Sequence, residues 1–214
     1  MFLLVGSIAL FAGITYCLAI SGVLGGKKCE CDTAPSEPKC PLDVKQLHVC
    51  AFHIAKDDPK YQLNTHHYCC QVSPNGLHQC TIYDDDNKRL IGVEYIVPDE
   101  LYQKLPEEEK KLWHPHYFEI TQGLLLTPDV PEKCEKKCMD ALVHSWGKTW
   151  QTWPDTKTDL PLGMPRLMWS ALKDGDIKQE LIDKRDKEMG IHTPDIKKSR
   201  EWLIKTQKTQ KAQE

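Results

Sequence analysis

The stretch THHYCCQVSPNGLHQCTIY, residues 65–83, decides the fold, because it carries a turn in its middle and an alternating run on each side. Ser73-Pro74-Asn75-Gly76 separates two segments rich in β-branched and aromatic residues, the pattern of a β-hairpin. Pro74 suits the second position of a type I turn and Gly76 the left-handed residue after it, which makes a three-residue loop with a bulge. That loop sets Ser73 against Leu77, Cys70 against Cys80, Tyr68 against Ile82 and His66 against Asp84. Tyr68, Cys70, Val72, Cys80 and Ile82 then share the face predicted to be buried, with His66 on the same side. His67, Cys69, Gln71, Gln79 and Thr81 point the other way. Cys70 and Cys80, opposed across the hairpin, suit a disulfide in an oxidising compartment and act as small apolar residues in a reducing one.

Working outward, the β-rich character recurs in QLHVCAFHI (46–54) and RLIGVEYIV (89–97), with KDDPK and DDDNK as turns, so an antiparallel meander is expected. Residues 98–113 predict two short helical pieces begun by Pro98 and Pro106. TQGLLLTPDV (121–130) predicts an apolar strand ending at Pro128. PEKCEKKCMDALVHSW (131–146) predicts a helix with Pro131 in its first turn, Gly147 past its end, and a stripe of Met139, Leu142, Val143 and Trp146. WQTWPD (150–155) and LPLGMPRLMW (160–169) read as irregular Pro- and Trp-rich packing segments. The chain ends in polar helix with a weak apolar stripe and a Lys/Gln tail.

From Phe2 to Leu24 there is no charged side chain, and 23 residues of helix would reach roughly 34 Å, against a hydrocarbon core of about 30 Å. A retained anchor is favoured over a cleaved signal peptide, which needs a basic start and a shorter apolar run. Lys27 and Lys28 flank only its C-terminal side, so the positive-inside rule puts the rest of the chain in the cytoplasm, with membrane lipid as the partner of the N-terminal helix. The ten cysteines would then be mostly thiols. Cys29, Cys31 and Cys40 lie in the linker, open to lipidation, to metal or to neither. Twenty-eight Lys+Arg against 31 Asp+Glu, a net charge of -3, excludes the basic surface that tracks nucleic acid. The expected fold class is α+β: an antiparallel β meander packed with helices, preceded by one N-terminal transmembrane helix. Its divisions are an anchor at 1–25, a linker at 26–44, a domain at 45–170, and a C-terminal helical segment and tail at 171–214.

Several strings in order carry a likeness: CAFHIA (50–55), HHYC (66–69), QCTIYD (79–84), RLIGVEYI (89–96), LPEEEKKLWHPHYFE (105–119), GKTWQTW (147–153), LPLGMPRLM (160–168) and KRDKEMGI (184–191). Together they resemble the oil body-associated protein family, over about residues 45 to 195. The resemblance implies a lipid-droplet or endoplasmic reticulum setting and a structural or lipid-organelle-associated role. It supplies no catalytic residues. The long uncharged N-terminal span departs from the family's pattern, and a bilayer-spanning helix is at odds with a droplet monolayer.

A metal site needs three or four converging ligands, and the candidates are His53, His66, His67, Glu94, His114, His116 and His144, with the thiols. His66 and His67 face opposite ways in a strand, whereas His114 and His116, two apart in an extended WHPH, share a face. With the hairpin register above, the set that follows is His66, His114, His116 and Glu94, in the manner of a non-haem iron or zinc centre. The plain alternative is structural or surface histidines. Glu94 sits among apolar neighbours, which suggests burial, a raised pKa and a role as acid, base, ligand or ion-pair partner. Cys134 and Cys138 lie four apart on one helix face, without a second pair at matching spacing. No nucleophile elbow, phosphate loop or dinucleotide fingerprint occurs, so the sequence leaves enzyme status open. Two functions follow: a membrane-tethered, lipid-organelle-associated structural protein, and a metal-dependent enzyme built on the same domain.

Overall fold

The structure is a computed structural model that describes residues 47–86 and 88–204. Strands β1 (Leu47–Ala55), β2 (Asp58–Gln71), β3 (His78–Asp84) and β4 (Leu90–Pro98) pair antiparallel in sequence order. The hairpin register differs by one residue from the expected one. Val72 N–H donates to the Leu77 carbonyl at 2.9 Å, so four residues rather than three form the loop. Cys69 therefore faces Cys80, and His67 faces Ile82. A one-residue slip turns every β2 side chain to the opposite face. The disulfide joins Cys69, not Cys70, to Cys80, across a Cα–Cα distance of 4.0 Å. This pair departs from the expectation of thiols, while Cys50, Cys70, Cys134 and Cys138 are buried thiols.

The expected open meander packed with helices is corrected by two further strands, β6 (Ser145–Gln151) and β7 (Arg166–Trp169). β4 pairs with β6, β6 with β7, and β7 with β1, which closes a six-stranded antiparallel barrel. A two-residue strand, β5 (His114–Pro115), adds to β6 at Trp146 and Gly147. Among the described residues helices are few and mostly short: α1 (Asp99–Tyr102), α2 (Glu107–Lys110), α3 (Tyr117–Thr121), α4 (Glu132–Leu142), α5 (Gln179–Met189) and α6 (Thr193–Ser199). α4 ends before Trp146, which lies in β6, stacks on Tyr102 at 3.6 Å and donates to Asp99. The apolar run 124–126 is not a strand; it touches β1 through a single bridge between Leu126 and Cys50. The proposed span at 2–24, the linker and the last ten residues lie outside the described residues. Among the described residues no helix is long and apolar enough to cross a membrane.

β1 is buried on both faces, which explains its nearly continuous apolar sequence. Inward, Leu47, Val49 and Ala51 join Cys69, Cys80 and Ile96, and Met139, Leu142 and Val143 from the α4 end pack against them. Outward, Phe52 and Ile54 meet Leu124, Ala171 and Ile177. The C-terminal helices are fastened by two buried guanidiniums. Arg185 donates to the carbonyls of Gly123 and Leu124, and Arg200 to those of Ile120 and Leu125. Both arginines thus grip the segment that follows β5, a few residues beyond His116.

Candidate metal centre

Closure of the barrel creates the site. The β4–β6 ladder sets Glu94 opposite Thr149, whose hydroxyl donates to Glu94 Oε1 at 2.8 Å. From β2, His67 Nδ1 lies 2.9 Å from Glu94 Oε2, and the His53 ring from β1 tilts against His67 at 4.7 Å. From β5, His114 Nε2 stands 3.4 Å from Glu94 Oε1; His116, which precedes α3, brings its Nε2 to 3.6 Å from the same oxygen. Glu119 Oε1 lies 4.0 Å from His116 Nε2. None of these seven residues is more than 3% exposed, so water does not screen them.

The two longer contacts exceed a good N–H···O hydrogen bond, about 2.7–3.2 Å. They match the separation of about 3.4 Å between two donors each held about 2.05 Å from one tetrahedral ion. Gly147 sharpens this reading. A Cβ there would lie 2.2 Å from Glu94 Oε1, 2.6 Å from His116 Nε2 and 2.8 Å from His114 Nε2. The point kept clear by glycine is the point on which three donors converge.

Hydroxyls on the barrel wall orient two of the rings. Ser145 donates its proton to the Leu142 carbonyl at 2.7 Å and so accepts from His116 Nδ1, 2.8 Å away, which turns the Nε2 lone pair toward Glu94. Thr65 likewise donates to the Ala51 carbonyl at 2.9 Å and lies 3.0 Å from His67 Nε2, which turns Nδ1 to Glu94. Outer partners that fix a ligand's tautomer are characteristic of metal-bound histidines. His114 lacks one: its buried Nδ1 has no partner among the described residues.

Burial alone would raise the Glu94 pKa, as the sequence suggests, but the imidazoles of His114, His116 and His67 outweigh it and hold the carboxyl well below its usual range. Burial lowers His53 and His114, keeping both as neutral, ligand-competent rings. His116 is opposed by burial yet raised on balance by Glu94 and Glu119. Burial pushes Glu119 up to about 8. An ion arriving here would displace a proton from His116, as metal binding to such sites generally does.

Of the four ligands proposed from sequence, the structure brings together Glu94, His114 and His116. His66 is on the other face of β2, with Nδ1 2.9 Å from His48 Nε2 and Nε2 2.8 Å from Asp85. His67 takes the inner place, with His53 beside it.

A family model described as a protein of unknown function, DUF1264, matches residues 39–204. Oil body-associated protein 2B of Arabidopsis thaliana is 42% identical over 181 residues, covering 82% of this chain and 73% of that one. Oil body-associated protein 1B of the same plant is 39% identical over 177 residues, 80% of this chain and 73% of that one. Oil body-associated protein 1A of Zea mays is 36% identical over 166 residues, 76% and 69% of the two chains. The chain belongs to the oil body-associated protein family. No solved structure matches it.

In this member of the oil body-associated family, the strings that carry the resemblance contain all the histidines and carboxylates of the site. CAFHIA holds His53, HHYC holds His67, RLIGVEYI holds Glu94, WHPHYFE holds His114, His116 and Glu119, and GKTWQTW holds Gly147 and Thr149. Sequence reasoning weighed His53 and His67 but left both out of the final set, His67 because the hairpin register put His66 in its place. It passed over Glu119, which stood beside apolar residues, and Gly147, which was read as a helix stop.

Proposed function

We propose that this chain works at a lipid organelle, in contact with the surface of a neutral-lipid store. The observation that carries the reading is its likeness to proteins named as oil body-associated, along about three-quarters of their length. The loop between β6 and β7 supports it. Leu160, Leu162 and Met164 are 61%, 64% and 83% exposed, and with Pro161, Gly163 and Pro165 they form six uncharged residues in a row. The loop's base is tied: Arg89 donates to the Thr158 carbonyl, Trp153 to the Thr158 hydroxyl and Leu162 N–H to the Leu160 carbonyl. Large apolar side chains held in water by a fixed base suit partition into a lipid interface. The test is flotation with phospholipid-coated triolein droplets. The triple variant Leu160→Ser, Leu162→Ser, Met164→Ser should lose at least tenfold in bound fraction with its circular dichroism unchanged; undiminished flotation would refute the docking role of this loop.

A second reading, metal-dependent chemistry at iron or zinc, is favoured by the clearance at Gly147. Glu94, His114 and His116 are a two-histidine, one-carboxylate set, and a divalent ion held there acts as a Lewis acid on a bound oxygen atom. Elemental analysis of the purified full chain tests it. Bound iron or zinc that falls by one equivalent in His114→Ala and is unchanged in His66→Ala supports the reading; a metal-free, folded protein removes it.

A further inference from the structure

We propose that the barrel holds two cations, with Glu94 as the bridging carboxylate: one on His114 and His116, the other on His53 and His67. The proposal rests on the metal reading above and extends it to a second position. The donor atoms of His53, His67 and Glu94 lie within 4.8 Å of one another, as do those of Glu94, His114 and His116. The two sets meet at one side chain but at different atoms. Glu94 Oε1 faces His114 and His116, and Oε2 faces His67. A carboxylate with one oxygen turned to His114 and His116 and the other to His67, whose 2.9 Å contact would open to admit an ion, has the geometry of a bridge, and paired ions in proteins stand about 3.5–4 Å apart.

The wall around the two halves repeats the same device. Ser145 steers His116 and Thr65 steers His67; each hydroxyl gives its own proton to a backbone carbonyl, so each ring presents its inner nitrogen to Glu94. A single hydrogen-bonded imidazole–carboxylate pair needs one such arrangement. Two of them, on opposite strands and aimed at opposite oxygens, organise a pair of positions. Glu119, 4.0 Å from His116 Nε2, is the second carboxylate available to offset the charge.

Titration of the metal-free full chain with Co(II) and then Zn(II), read by visible absorption and elemental analysis, decides the matter. Two equivalents are expected for the unmodified protein. His53→Ala and His67→Gln should each keep one, His114→Ala should keep the other, and Thr65→Val should weaken the second equivalent about tenfold while leaving the first unchanged. With Mn(II), the doubly loaded protein should show a spin-coupled resonance spectrum that His53→Ala converts to that of an isolated ion. One equivalent in the unmodified protein, indifferent to His53→Ala and Thr65→Val, overturns the second position and leaves the single-ion reading standing. No bound metal at all overturns both.

Discussion

On the outer face of β2, His66 belongs to a chain of contacts that runs from Asp129 through His48 to His66 and Asp85, half-open to water and complete in itself. One residue later, on the inner face, His67 belongs to a set of four imidazoles gathered around one carboxylate with no water to share the charge. Both regions are rich in ligand-type residues. What separates them is satisfaction: the outer nitrogens already have partners at hydrogen-bond distance, whereas inside, His114 and His116 point at Glu94 from distances that suit an intervening ion better than a proton. A histidine cluster signals a site when its geometry leaves a place for something else.

The sharpest way to break this comparison is to truncate each neighbour in turn. His67→Ala leaves the Glu94 carboxylate buried with one fewer partner and should cost about 3–5 kcal/mol in urea unfolding. His66→Ala removes one partner of a partly buried pair, but Asp85 keeps Lys88 and Lys184, and the change should cost about 1 kcal/mol. Equal costs would erase the distinction between the two faces.

Acid acts on the inner face through His78. His78 is pushed down to about 4 by burial, against the opposing effect of its hydrogen bond to the Gly76 carbonyl. As pH falls below 6.5 the unfolded chain takes up this proton before the native one does. The native state is therefore fully favoured above 6.5 and loses about 1.4 kcal/mol per pH unit down to 4, about 3 kcal/mol in all. Denaturant unfolding between pH 4 and 7 should show a shallower acid loss in His78→Gln than in the unmodified protein.

Gly147→Ala tests the cleared point itself. A methyl group there meets three donor atoms, so the equivalent of metal held by His114 and His116 should be lost, with a stability cost of about 1–3 kcal/mol. Retention of that equivalent would show that the donors converge elsewhere. The smallest effect is expected from Ser145→Ala, which removes the hydroxyl that orients His116 and should weaken metal affinity about tenfold. His48→Ala on the outer face should leave affinity unchanged in the same titration.

The strands of the meander could be read from alternation because their inner faces are largely apolar. β3 was placed with the correct face inward, since Cys80 and Ile82 share a side with His78 whatever the turn length. β2 was not, because both of its faces carry Cys and His and the pattern offers no vote between registers; one extra loop residue settles it. β6 escaped for a related reason. Its inward residues are Ser145, Gly147, Thr149 and Gln151, small or polar because they line the site, while Trp146 and Trp150 face outward. Its alternation is real but inverted, so hydrophobicity reads it as irregular. The same chemistry that makes the site thus hid the strand that closes the fold, and with it the barrel. Glu94, His114 and His116 were legible because apolar or extended neighbours mark them. The buried roles of Arg185 and Arg200 in a segment that reads as polar helix were not, since only their carbonyl partners reveal them.

The pairing of β4 with β6 has a further consequence for how the molecule is assembled. The donors stand on opposite banks of this seam: Glu94 on β4, His114 and His116 on the chain joined to β6, with Glu94 and Thr149 separated by 55 positions. Contacts so distant along the chain form after the local hairpins, once the loop between them has closed. The centre therefore does not exist until this seam is shut, and a cation bound across it would work as a clasp between two staves of the barrel. Chelation should accordingly speed amide exchange first along β4 and β6, leaving the β1–β2 hairpin at its original rate.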